Sequence, residues 1–97
     1  MNRPVVIHPK AIIQAGEIHR YYLSIKPELA DRFYRELDAV YVLIEHSPAG
    51  HQIRFGAYRH ALVKGFRIRV VYAIRDDAVV VYQVRHTSRR VSKRFGP

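Results

Sequence analysis

The apolar residues of this chain change period near residue 50, and that change divides its 97 residues into a helical part and a stranded part. Before it, Ala11, Ala15, Ile18, Tyr22 and Ile25 recur at intervals of four and three, with Gln14, Glu17 and Arg20 on the other side. This spacing is that of an amphipathic helix. Lys26-Pro27 stops it, because proline disfavours helical geometry in the residue before it and is itself suited to a first helical turn. Leu29, Phe33, Leu37, Val40, Tyr41 and Ile44 then form a second stripe, with Glu28 and Asp31 placed to complement the N-terminal dipole. The second helix ends near Ser47-Pro48. Two helices joined by so short a connection must pack as an antiparallel hairpin.

After a polar, glycine-bearing loop over residues 49–56, the period is two. Strands are predicted over residues 58–63, 66–74 and 79–86, with Lys64-Gly65 as one turn and Arg75, Asp76, Asp77 and Ala78 as the next connection. Ahead of the helices, residues 5–8 are a β-branched run closed by Pro9, which reads as a short strand entering a helix. The expected fold is α+β. A short N-terminal strand precedes the antiparallel two-helix hairpin, which packs on one face of a C-terminal three-strand antiparallel meander. The length suits one domain over residues 1–97, with residues 87–97 as a basic tail.

Alternation sorts the long strand. Phe66, Ile68, Val70, Tyr72 and Ile74 point to the core, and Arg67, Arg69, Val71, Ala73 and Arg75 point to the open face. The last strand depends on loop length, since a one-residue change flips every side chain. A connection of two or four residues would set Tyr82, Val84 and His86 beside the arginines. One of three residues would set Gln83 and Arg85 there and give Val80, Tyr82 and Val84 to the core. The second option spares Arg85 from burial and is the preferred reading.

Charge divides at the same boundary as the period. Residues 1–49 carry six Lys/Arg and six Asp/Glu, whereas residues 50–97 carry eleven Lys/Arg against Asp76 and Asp77, so the whole net charge of +9 lies in the second half. Such a field attracts anionic partners, whether nucleic acid or an acidic protein segment. The absence of cysteine excludes disulfides, thiolate metal sites and a thiol nucleophile. No apolar run approaches the roughly 20 residues of a membrane span, and the start lacks a signal peptide, so a cytoplasmic chain without membrane association is expected. The six histidines (His8, His19, His46, His51, His60, His86) show no ligand spacing, and no phosphate-binding glycine motif is present, so neither metal nor cofactor is expected. Asp76-Asp77 suits a turn. Tyr58, near Arg54 and Arg59, is the one tyrosine placed for RNA or partner contact.

The order of elements, with PELADRFYRELDAVYVLIEHSPAG, FRIRVVYAIRDDAVVVYQV and the closing RHTSRR, resembles the ParE/RelE superfamily of bacterial toxins from type II toxin–antitoxin systems. The resemblance spans nearly the whole chain. It implies a small basic toxin, hetero-oligomeric with a cognate antitoxin whose flexible segment wraps over it.

That superfamily has two branches. RelE-like members are ribosome-dependent mRNA endoribonucleases, and on that reading Arg69, Arg85 and His86 are the candidate catalytic residues, a proton-transfer group being essential to such chemistry. The tail fits this branch poorly, since Phe95 stands where a tyrosine is expected and His86 falls one position short of the family's histidine. ParE-like members inhibit DNA gyrase, and their H-x-x-R-R tail is similar to His86, Arg89 and Arg90 here. The ParE-like branch is therefore favoured, with Arg85, His86, Arg89, Arg90, Lys93 and Arg94 as target-binding residues. Arg59, Arg67 and Arg69 are expected on a face that takes the antitoxin or nucleic acid.

Overall fold

The computed structural model describes residues 3–87. Its elements run β1 (Val5–Ile7), α1 (Pro9–Ile25), α2 (Pro27–His46), a 3-10 turn (Pro48–Gly50), β2 (Ile53–Phe55), β3 (Tyr58–Leu62), β4 (Ile68–Arg75) and β5 (Ala78–His86).

Lys26 alone connects the helices. Its N–H closes α1 on the Tyr22 carbonyl at 2.8 Å, and its own carbonyl opens α2 by accepting the Leu29 N–H at 3.1 Å. Proline supplies the first residue of both helices, where a missing N–H costs nothing, and His8 Nδ1 caps α1 by accepting the Lys10 N–H at 3.1 Å. The hairpin is antiparallel, as expected. His19 stacks on Tyr34 with ring centroids 4.0 Å apart, and Tyr22 meets Phe33 at 5.8 Å.

The sheet has five strands in the order β1-β5-β4-β3-β2, with β1 parallel to β5 and every other pair antiparallel. The expected three-strand meander is present as β3–β4–β5 but is extended at both edges. β2 escaped sequence reading because Ile53, Arg54 and Phe55 give a single alternation, too little to register as a period; Gly56, at φ 57, turns it back onto β3. The place of β1 was not legible either, since its partner β5 lies beyond both helices and three strands. β4 also begins later than predicted. Gly65 takes φ 81, and Phe66 leaves the ladder to meet Tyr22 at 5.1 Å and Phe33 at 5.6 Å.

The β4–β5 register corrects the facing of the last strand. Arg75 pairs with Ala78, so only Asp76 and Asp77 form the loop, with Asp76 in the left-handed region at φ 51 that aspartate tolerates. A two-residue loop sends Val79 and Val81 to the core. Tyr72 pairs with Val81 but Val71 pairs with Gln83, which leaves Tyr82 as the extra residue of a β-bulge. Beyond the bulge Val84 faces the helices, and Gln83 and Arg85 face away beside Val71 and Arg69. The expected partners Gln83 and Arg85 are thus reached through a different loop, and Val79 and Val81 take the core places assigned to Val80 and Tyr82.

The core lies between the helix hairpin and this sheet face. Phe33, Leu37, Val40 and Ile44 from α2 and the small Ala11 and Ala15 from α1 meet Ile68, Val70, Tyr72, Val79, Val81 and Val84.

Candidate partner interface

The face of the sheet turned away from the helices gathers the basic residues that alternation assigns to it. Leu62 pairs with Arg69 and Arg69 with Arg85, so these three form one row across β3, β4 and β5. The adjoining row is His60, Val71 and Gln83. Arg69 Nη1 donates to His60 Nδ1 at 3.0 Å, and because a guanidinium only donates, the neutral ring must carry its proton on Nε2. Arg85 is buried, and its Nη1 donates to the His86 carbonyl at 3.3 Å. Burial, and then the neighbouring Arg69 charge, push its guanidinium below the usual arginine range.

Toward the β4–β5 turn the same face is aromatic. Tyr58 and Tyr82 meet edge to face at 5.5 Å, and the Arg75 guanidinium lies 5.7 and 5.8 Å from their ring centres. Arg75 Nε donates to the Tyr82 hydroxyl at 3.1 Å. Tyr58 therefore keeps company with Arg75 and Tyr82 and not with Arg54 and Arg59. The bulge puts Tyr82 there, and nothing in the period-two pattern signals it.

The sequence-derived site residues divide. Arg69 and Arg85 come together. Arg67 precedes β4, exposed, with its carbonyl accepting the Thr87 N–H at 2.9 Å. Arg59 pairs with Tyr72 and so lies on the helix side, where its guanidinium donates to the carbonyls of His51 and Ala49. It is separated from Arg69 by the sheet. His86 pairs with Ile68 and by that register also faces the helix side, away from the two arginines. Arg89, Arg90, Lys93 and Arg94 lie outside the described residues. His60 and Gln83 were not singled out as site residues; a strand alignment that pairs β3 with β4 is the signal that finds them.

A second surface, unforeseen in the sequence, lies on the helices. A groove of about 620 Å³ is lined by Ile12, Asp31, Tyr34, Arg35, Asp38 and Tyr41, among others. Burial, with Tyr34 and Asp38 nearby, pushes the Tyr41 phenol up to about 12. Among the described residues there is no cluster of potential metal ligands, and no helix is long and apolar enough to cross a membrane.

A family model described as "ParE toxin of type II toxin-antitoxin system, parDE" matches residues 5–91. The chain belongs to the ParE toxin family. Among relatives of this ParE chain are the proteins called Toxin ParE2 from Mycobacterium tuberculosis strains CDC 1551 / Oshkosh and ATCC 25618 / H37Rv. Each is 32% identical over 87 residues, which cover 89% of this chain and 83% of the relative. The fold is shared with a chain of a solved structure titled "Chromosomal ParDE TA system from P. aeruginosa". It aligns with a TM-score of 0.77 at 10% identity, covering 87% of this chain and 95% of that one. The toxin component of a type II toxin–antitoxin system is thus the class to which this ParE chain belongs.

Proposed function

We propose that this ParE-family toxin acts in the cytoplasm as a single-domain inhibitor of DNA gyrase, without a cofactor, and that a cognate antitoxin neutralises it in a hetero-oligomer. The antitoxin segment lies over the far face of the sheet, along Arg67, Arg69 and the Tyr58–Tyr82 pair. Arg89, Arg90, Lys93 and Arg94, with Arg85 and His86 at their base, carry the contact to gyrase.

One observation favours gyrase over mRNA as the target. A ribosome-dependent nuclease built on Arg69, Arg85 and His86 needs all three about one reacting phosphate, and the Ile68–His86 register turns His86 to the opposite face. His60 lies beside Arg69, yet its acceptor nitrogen is already engaged by that arginine.

Two assays on one preparation test the proposal. The purified chain should block gyrase supercoiling at near-stoichiometric ratio and leave mRNA intact in a translating ribosome extract. Truncation after His86 should abolish the inhibition while the far-UV spectrum is kept. Undiminished supercoiling at saturating toxin would overturn the gyrase reading.

A further inference from the structure

Arg69 and Arg85 stand directly opposite one another across the β4–β5 ladder. Like charges in that position repel. Six of the eight carboxylates lie in α1 and α2, across the sheet, and Asp76 and Asp77 lie at the far end of β4, roughly 20 Å away at ~3.4 Å per residue. Arg85 is 7% exposed, and its Nε is buried with no hydrogen-bond acceptor among the described residues. The Nε2 amide of Gln83, 1% exposed and one cross-strand row along, is in the same condition. Buried N–H groups and a buried positive charge are each costly when unpaired, and here they occur together. Beyond the His60 nitrogen that takes Arg69 and the His86 carbonyl that takes Arg85, the cluster therefore holds two buried donors without an acceptor, Arg85 Nε and Gln83 Nε2, beside two positive charges. That is the complement of an oxyanion.

We infer that Arg69 and Arg85, with Gln83 beside them, form a recessed cradle for a carboxylate side chain from an acidic, apolar-bearing protein segment. The recess favours a carboxylate over a phosphodiester. A glutamate or aspartate reaches a buried guanidinium on a flexible stem, whereas a backbone phosphate is flanked by sugars on both sides and stays level with the surface. The rim favours a peptide, since Leu62 stands next to Arg69 in the same row with 63% of its surface exposed, and Phe55 stands exposed beyond Tyr58. Basic recess and apolar rim match alternating acidic and apolar residues. The identity of that segment as the antitoxin rests on the function proposed above; the chemistry of the cradle does not.

The site is tested on the free full-length chain by following the Arg85 Nε–H resonance during titration with N-acetylglutamate amide, against sodium chloride at matched ionic strength. A saturable downfield shift with the glutamate derivative, lost in Arg69→Met, supports the cradle. An equal response to chloride, or none, overturns it. The occupant is tested by the affinity of the chain for the protein encoded beside it. Arg69→Met and Arg85→Met should each weaken that complex at least tenfold, the double variant hardly more than either, because both arginines hold one group. The free Arg85→Met chain should melt no lower than the parent, since repulsion has been relieved. Unchanged affinity, or weakening matched by a lower melting temperature, would overturn the assignment. Tighter competition by a single-stranded oligonucleotide than by an acidic peptide would overturn the peptide in favour of nucleic acid. If the wild-type chain binds no such protein but the resonance still saturates, the antitoxin reading fails while the cradle stands.

Discussion

Gln14 Oε1 accepts the Val84 backbone N–H at 2.9 Å, so a helical side chain completes a strand 70 positions away. β1 runs beside β5 only as far as Val81, where the His8 N–H donates to the Val81 carbonyl at 2.8 Å, and beyond that point β5 has no strand on this side among the described residues. A backbone N–H near the core requires an acceptor. Gln14→Leu removes it and leaves the amide unsatisfied, at a cost of about 1–3 kcal/mol. Chemical denaturation should show that loss. Val84 should also become the amide in β5 whose hydrogen-exchange protection falls most.

Tyr72 fastens the 3-10 turn that follows α2 to the middle of the sheet. Its hydroxyl donates to the Pro48 carbonyl at 2.6 Å, and since that uses its one hydrogen, His51 Nδ1 at 3.2 Å must be donating to the same oxygen. Tyr72→Phe keeps the packing and strands both partners. It should cost about 1–2 kcal/mol in unfolding free energy and loosen residues 47–51, seen as faster amide exchange there, without loss of fold.

His51 also carries a pH dependence. Burial, followed by the Arg59 charge, lowers its pKa from the ordinary value of 6.5. An unfolded chain then binds this proton more readily than the folded one, so stability rises with pH across the window. The contribution is complete above pH 6.5 and is lost as pH falls from there toward the lowered folded value. His51→Asn, which keeps a donor but does not titrate, should give a melting temperature that declines less than the parent's between pH 7 and pH 5. Parallel pH profiles would refute this.

The bulge at Tyr82 predicts an unusual tolerance. Deleting a residue from a strand normally flips everything beyond it. Deleting Tyr82 leaves Val81 toward the helices, Gln83 away, Val84 toward and Arg85 away, which is the facing already present. The variant should therefore fold with its Val71–Gln83 and Arg69–Arg85 pairs intact. It should lose about 1 kcal/mol with the Tyr58–Tyr82 contact. Deletion of Val80 has no such compensation and should abolish cooperative melting. Cross-strand nuclear Overhauser contacts and thermal melts distinguish the two.

Most of the helical half was legible because its signals are local. The stripe through Phe33, Leu37, Val40 and Ile44 repeats over about three turns, and Lys26-Pro27 marks a break that local sterics impose. The arginines of β4 were legible for the same reason, since Arg69 alternates with Ile68 and Val70. Arg59 was not. Its parity within β3 is set by which residue of β4 it opposes, and Tyr72 rather than Val71 stands there. The facing of His86, opposite to Arg85, agrees with the preferred reading of the last strand, but the structure reaches it through a two-residue loop and a bulge whose effects on parity cancel.

The sequence by itself determined the two helices, their tight hairpin, the period-two second half, the concentration of positive charge there and the family resemblance. All of these reside in neighbours along the chain or in composition. Tertiary structure decided which residues meet across strands. It placed β1 beside β5, inserted Tyr82 as a bulge, set Arg85 against Arg69 and turned Arg59 and His86 to the other face. The physical reason is that strand pairing is non-local: alternation fixes what shares a side within one strand, but only the register, set by loops, bulges and the packing of the helices, fixes which sides coincide.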